Sequence, residues 1–85
     1  MDTIEKIERL KLKADLFLKE NKKAFVKDIY DNYYFCYIKP SNDSKLNIKN
    51  FAGHRFEEGK IDEEIYWVDV IDIQEFKEAD NGRRD

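Results

Sequence analysis

The densest grouping of chemically versatile side chains is Asn50-Phe51-Ala52-Gly53-His54-Arg55-Phe56, preceded by Lys49. Two rings, an imidazole, a guanidinium and an amide surround one glycine. Single-stranded nucleic acid is held by aromatic platforms beside cations, each stacked base contributing about 1–3 kcal/mol. Arg55 suits a phosphate contact or a stack on a base. With Tyr33 from an earlier aromatic run, the expected nucleic-acid contacts are Lys49, Asn50, Phe51, His54, Arg55 and Tyr33. The competing reading places Phe51 and Phe56 in the core and leaves His54 and Arg55 as an ordinary wet edge.

A second aromatic set is Tyr33, Tyr34, Tyr37, Tyr66 and Trp67. Successive strand side chains point to opposite faces. The neighbours Tyr33/Tyr34 and Tyr66/Trp67 therefore each send one large ring away from a one-sided core, unless a helix covers the second face. Exposed Tyr and Trp serve as interface anchors and stacking platforms. Tyr66 and Trp67 are accordingly expected partner contacts. They are joined by Leu12 and Leu16, which at 100° per residue lie opposite the apolar stripe of the first helix. The alternative for the two leucines is cover by a loop or simple exposure.

Catalytic arrangements are missing from the sequence. A single cysteine (Cys36) and a single histidine (His54) leave no Cys/His pair nearby and no zinc pattern. No nucleophile elbow or phosphate loop occurs, and the acidic run lacks the spaced oxygen ligands of a calcium loop. Cys36 sits in an aromatic strand and reads as a small hydrophobe. A non-enzymatic protein with no metal and no cofactor is expected.

The elements that must position these residues come from 85 residues, enough for one domain. The chain is 41% charged yet 14% aromatic. Disordered chains are charged but poor in aromatics, so this one should fold. No stretch approaches the ~20 apolar residues of a membrane span, and no signal pattern opens the chain. A soluble, cytoplasmic protein without a membrane partner is expected. The net charge of −3 hides an asymmetry: residues 1–56 carry +4 and residues 57–85 carry −7. The basic side gathers Lys11, Lys13, Lys19, Lys22, Lys23 and Lys27, a cluster that either grips phosphates beside a strand or is ordinary solvated surface, as the acidic pI of 5.2 favours. The acidic side is a solvated face, or a protein-binding surface that imitates nucleic acid. If acidic strands pair with basic ones, the field cancels.

Residues 2–20 read as a helix. Asp2 and Glu5 form a capping-box pattern, and Ile4, Ile7, Leu10, Ala14, Phe17 and Leu18 form one apolar stripe. From residue 24 the period changes to that of strands, at 24–30, 33–39 and 45–51. Asp31-Asn32 suits a tight bend, and Pro40 to Ser44 reads as a loop. The segment from Ile65 to Phe76 is the strongest strand signal. Asp69 and Asp72 interrupt it, which predicts two short strands with a kink.

This order resembles the Sm-like family, in which an N-terminal helix precedes a strongly bent five-stranded sheet. Tyr30-Asp31-Asn32-Tyr33-Tyr34-Phe35-Cys36-Tyr37-Ile38 resembles the first Sm motif, where an aromatic-Asp pair leads into alternating apolar residues. Val70-Ile71-Asp72-Ile73 resembles the end of the second. The family's RNA base pocket uses an Asp and an Asn of the first motif and an Arg-Gly pair of the second. Asp31 matches the Asp, but Phe35 stands at the Asn position and Tyr66-Trp67 at the Arg-Gly position. The glycine usual in the bent strand is missing from 24–30.

The expected fold is α+β: a helix followed by a strongly bent antiparallel sheet of four or five strands, forming an Sm/SH3-like small barrel. One domain spans 1–78, and 79–85 form a tail. The expected function is a non-catalytic binding module associated with RNA or single-stranded nucleic acid, with homo-oligomerisation implied by the Sm resemblance. The alternative is a small acidic protein-binding inhibitor or adaptor of phage or plasmid type, which acts through its C-terminal half against host defence or as a nucleic-acid mimic.

Overall fold

The computed structural model describes residues 2–51 and 61–77. Helix α1 runs over Thr3–Lys19, and the Asp2 carboxylate accepts a 2.9 Å hydrogen bond from the Glu5 amide at its start. That contact satisfies one of the amides a helix N-terminus leaves unpaired. Leu10, Ala14 and Phe17 are buried, with Ile7 and Leu18 packed at their margin. Ile4 belongs to the same sequence stripe but stands exposed, so burial begins a turn later than expected. Asn21, at φ 53°, reverses the chain after the helix.

Five antiparallel strands follow: β1 Lys23–Asp28, β2 Tyr33–Lys39, β3 Lys45–Asn50, β4 Asp62–Tyr66 and β5 Val70–Glu75. Their order across the sheet is β4-β3-β2-β1-β5. Alternation turns Ala24, Val26, Tyr34, Cys36, Ile38, Leu46, Ile48, Ile65, Val70 and Ile73 into one core under α1.

Strands β4 and β5 are consecutive in the chain yet occupy opposite edges, and only a 3₁₀ turn at Trp67–Asp69 joins them. Four inter-strand gaps of about 4.8 Å would set the edges of a flat sheet about 19 Å apart. A three-residue 3₁₀ turn advances only about 6 Å. The sheet must therefore curl strongly. No ladder joins β4 to β5 among the described residues, so the expected barrel stays open.

The kink expected within 65–76 is this 3₁₀ turn, and two loops hold it. The Trp67 amide donates to the Ser44 carbonyl at 3.0 Å, and the Ile29 amide donates to the Asp69 carbonyl at 2.9 Å. A bulge follows: Lys27 pairs with Asp72 and Asp28 with Val70, which leaves Ile71 without an opposing residue. Strand β1 ends at Asp28, so Ile29 and Tyr30 belong to the bend and are exposed. The bend forms as expected, with Asp31 at φ 65°, a region Asp tolerates better than most residues. Among the described residues no helix is long and apolar enough to cross a membrane. The tail at 79–85 lies outside the described residues.

Candidate aromatic and basic face of the sheet

The alternation that buries Ala24, Val26, Cys36 and Ile38 turns their neighbours to the face away from α1. Six rings of the described residues meet there. Tyr33 stacks on Phe25 at 5.4 Å between centroids and 11° between planes, and Phe25 lies 5.0 Å from Phe35. Phe35 reaches Phe76 at 5.0 Å, Phe76 reaches Phe51 at 6.0 Å, and Phe51 meets Tyr37 edge-on at 5.4 Å. Backbone bonds place the two rings that lie beyond strand ends. The Phe51 amide donates to the Phe35 carbonyl and the Phe76 amide to the Lys23 carbonyl, both at 2.9 Å.

Cations lie over this row. The Lys27 ammonium stands 5.3 Å from the Tyr33 ring centre, and that of Lys23 stands 5.5 Å from Phe51. Ammonium over a ring face is attracted by the ring quadrupole. Lys49 is exposed on the same face, opposite Tyr37 in the β2–β3 register. Tyr33 is 45% exposed, while Phe25, Phe35, Tyr37, Phe51 and Phe76 are half-buried against one another. The result is an apolar platform with a solvent-facing ring at one end and ammonium groups along it.

Of the residues expected to contact nucleic acid, the fold brings together Tyr33, Lys49 and Phe51. Asn50 is corrected: it is 2% exposed, faces Cys36 on the helix side and donates from Nδ2 to Glu63 at 2.7 Å. Strand parity sends it inward, so the side chains that flank it carry the surface. His54 and Arg55 lie outside the described residues. Sequence reasoning missed Phe25, Phe35 and Phe76 as members of the platform. The signal was the parity of β1, in which Lys23, Phe25 and Lys27 alternate with Ala24 and Val26.

The expected partner contacts divide. Leu12 is 73% and Leu16 46% exposed on the outer side of α1. Tyr66 is exposed beneath the Lys45 ammonium, 5.1 Å from its ring centre. Trp67 is corrected: it is 3% exposed, and its indole Nε1 donates to the Asn42 carbonyl at 2.8 Å. Trp67 continues the inward phase of Ile65, so its ring fills the core and its indole anchors the β2–β3 loop.

The basic and acidic segments interleave. Lys39 pairs with Asp62 and Lys45 with Glu64, each at 3.1 Å, and Lys22 reaches Glu75 at 3.4 Å. The Glu64 carboxylate, by hydrogen bond and charge, holds the Lys45 ammonium above its ordinary pKa. These contacts neutralise part of the acidic half, at Asp62 and Glu64 on β4 and at Glu75 on β5. The cations over the rings lie on β1, between β2 and β5, with Asp72 of β5 opposite Lys27.

Two polar groups inside the fold are structural. Asp28 Oδ1 accepts from the amides of Tyr30 and Asn32, both at 2.9 Å. Its Oδ2 accepts from Asn32 Nδ2 and from the Tyr34 hydroxyl, both at 3.1 Å. Burial alone would raise this carboxyl, but the hydrogen bonds outweigh it and the pKa falls below the ordinary value. Burial, with a smaller contribution from the Glu63 charge, pushes the Cys36 thiol up to about 12. Thiolate chemistry is therefore closed to it at neutral pH. Among the described residues no cluster of three or more His, Cys, Asp or Glu could hold a metal ion.

No protein-family model matches this chain, and comparisons with curated proteins and with solved structures give no match.

Proposed function

We propose that this protein is a non-catalytic module that binds single-stranded nucleic acid on the sheet face turned away from α1. The observation that carries the reading is the row of six rings with the Lys23 and Lys27 ammonium groups over it. Every base has a π-face, so such a row accepts bases without sequence preference, while the ammonium groups meet the phosphates. Tyr33 is the entry ring, because it alone among the six is exposed.

The Sm/SH3-like assignment rests on the helix followed by five strongly curled strands. The base pocket of that family gains no support from the residues at its positions. Asp31 is exposed on the bend, Phe35 belongs to the aromatic row, and Trp67 is buried. The proposed binding mode is therefore stacking on the sheet rather than that pocket. The second reading, a protein-binding inhibitor or adaptor, draws on the exposed Leu12 and Leu16. Its acidic surface is weakened by the ion pairs that β4 makes with Lys39 and Lys45.

The test is fluorescence anisotropy with a labelled oligouridylate. Salt-dependent binding that weakens about tenfold on Tyr33→Ala supports the reading, one lost stack being worth about 1–3 kcal/mol. Absence of binding at low salt overturns it. Light scattering after size exclusion bears on the fold assignment, with a closed ring of copies favouring the Sm resemblance and a monomer favouring the adaptor.

A further inference from the structure

A groove runs between α1 and the edge strand β5. Lys6, Arg9, Leu10 and Lys13 line it from the helix, and Ile71 and Asp72 from the strand. Residues 6, 9 and 13 fall within about 60° of one another at 100° per residue, so their cations line one flank of the helix. Neither Lys6 nor Arg9 makes an ion pair among the described residues, whereas Lys13 lies a distant 4.0 Å from Asp72. The floor is apolar: Leu10 is buried, and Ile71 is the bulge residue that no β1 residue opposes. Bulges at a sheet edge re-aim a side chain, here an exposed isoleucine beside three cations.

Asp72 links this groove to the face with the rings. Its register partner on β1 is Lys27, the cation over Tyr33, and on its other side stands Lys13. Its carboxylate is held by its own strand, accepting from the Ile73 amide at 2.9 Å and from Gln74 Nε2 at 2.7 Å. Lys27, Lys13, Arg9 and Lys6 thus form a cationic path across the β5 edge, with one fixed negative charge at the crossing.

We infer that a strand stacked on the aromatic face continues over the β5 edge into this groove, where Lys6, Arg9 and Lys13 take the phosphates of its flanking nucleotides. The inference rests on the proposed single-strand function and extends its footprint. Ile71 supplies an apolar contact to a sugar or base, and Asp72 limits affinity at the crossing.

The test compares labelled oligouridylates of about four and about twelve nucleotides, the range of site sizes for one small single-strand module. The expected result is that the longer probe binds at least tenfold more tightly. K6A/R9A should remove that advantage and leave the short probe unchanged. Two lost phosphate contacts should flatten the salt dependence for the longer probe by about 1.4 in log–log slope. Asp72→Asn should strengthen both probes, because Asp72 faces Lys27 as well as Lys13, and the longer probe more. If K6A/R9A leaves the longer probe unaffected while Tyr33→Ala weakens both, the groove is overturned and the aromatic site stands. If wild-type protein binds neither probe, the site and the groove fall together.

Discussion

The Tyr34 hydroxyl donates a 3.1 Å hydrogen bond to Oδ2 of Asp28 inside the core, at the point where β1 gives way to the bend into β2. One carboxylate thereby closes the bend from below and fixes where β1 ends. Four donors converge on it, from Tyr30, Tyr34 and twice from Asn32. Since β1 and β2 each also carry rings of the aromatic row, the bend sets the register in which Tyr33 meets Lys27.

Asp28→Asn is expected to destabilise the fold by about 2–3 kcal/mol, because one acceptor becomes a donor facing other donors. The pH dependence has a definite sign. The folded carboxyl titrates below its ordinary value of 3.8, so between the two pKa values the unfolded chain binds more protons. The contribution of Asp28 is fully present above pH 3.8 and is lost as pH falls through the lower folded value. Urea unfolding of wild type and variant across acid pH checks this: the gap between them should close below that window.

Tyr33→Ala and Lys27→Ala separate stacking from charge on the proposed face. Tyr33 is the exposed end of the row, so its removal should leave thermal stability within about 1 kcal/mol of wild type. Its effect on single-strand binding should be close to tenfold. Lys27→Ala should weaken binding less and flatten the salt dependence by about 0.7 in log–log slope, one phosphate contact on a single strand. Titrations at several salt concentrations read both effects.

Much of this arrangement was legible in the sequence, and the misses share a cause. The helix announced itself by a 3.6-residue stripe and an acidic cap, and the strands by two-residue alternation. The kink before β5 was legible because Asp69 and Asp72 broke that alternation. The shared cause is strand phase, which residue type alone does not reveal. Asn50 has the two-residue phase of Leu46 and Ile48, and that phase turns the amide inward. The Tyr66-Trp67 pair follows the phase of β4, with Ile65 and Trp67 turned inward and Tyr66 outward. Likewise, Asp31 holds the motif position, while the earlier Asp28 is the carboxylate that turns inward at the end of β1. Phe76 joins the row through tertiary pairing that no local pattern reveals.

Cys36 is expected to be silent toward thiol reagents in the native state. It is fully buried, and burial pushes its thiol up to about 12, so almost no thiolate exists at neutral pH. Labelling by a maleimide or an aromatic disulfide should proceed at the rate of opening and accelerate sharply in denaturant. Fluorescence of Trp67 supplies the parallel readout, shifting from a buried to an exposed emission over the same transition. Rapid labelling of folded protein would contradict the packing of β2 against β1 and β3.

Leu10 and Leu12 test the two sides of α1 against each other. Leu10 belongs to the core, so Leu10→Ala should cost about 2–5 kcal/mol through lost burial and the cavity left behind. Leu12 is 73% exposed and packs against nothing in the core cluster, so Leu12→Ala should change stability by no more than about 0.5 kcal/mol. Denaturant unfolding of the two variants measures the contrast. If Leu12→Ala proves costly at high protein concentration but harmless at low concentration, the outer face of α1 is covered in solution by another chain. A concentration-independent cost would place it against this chain's own residues instead.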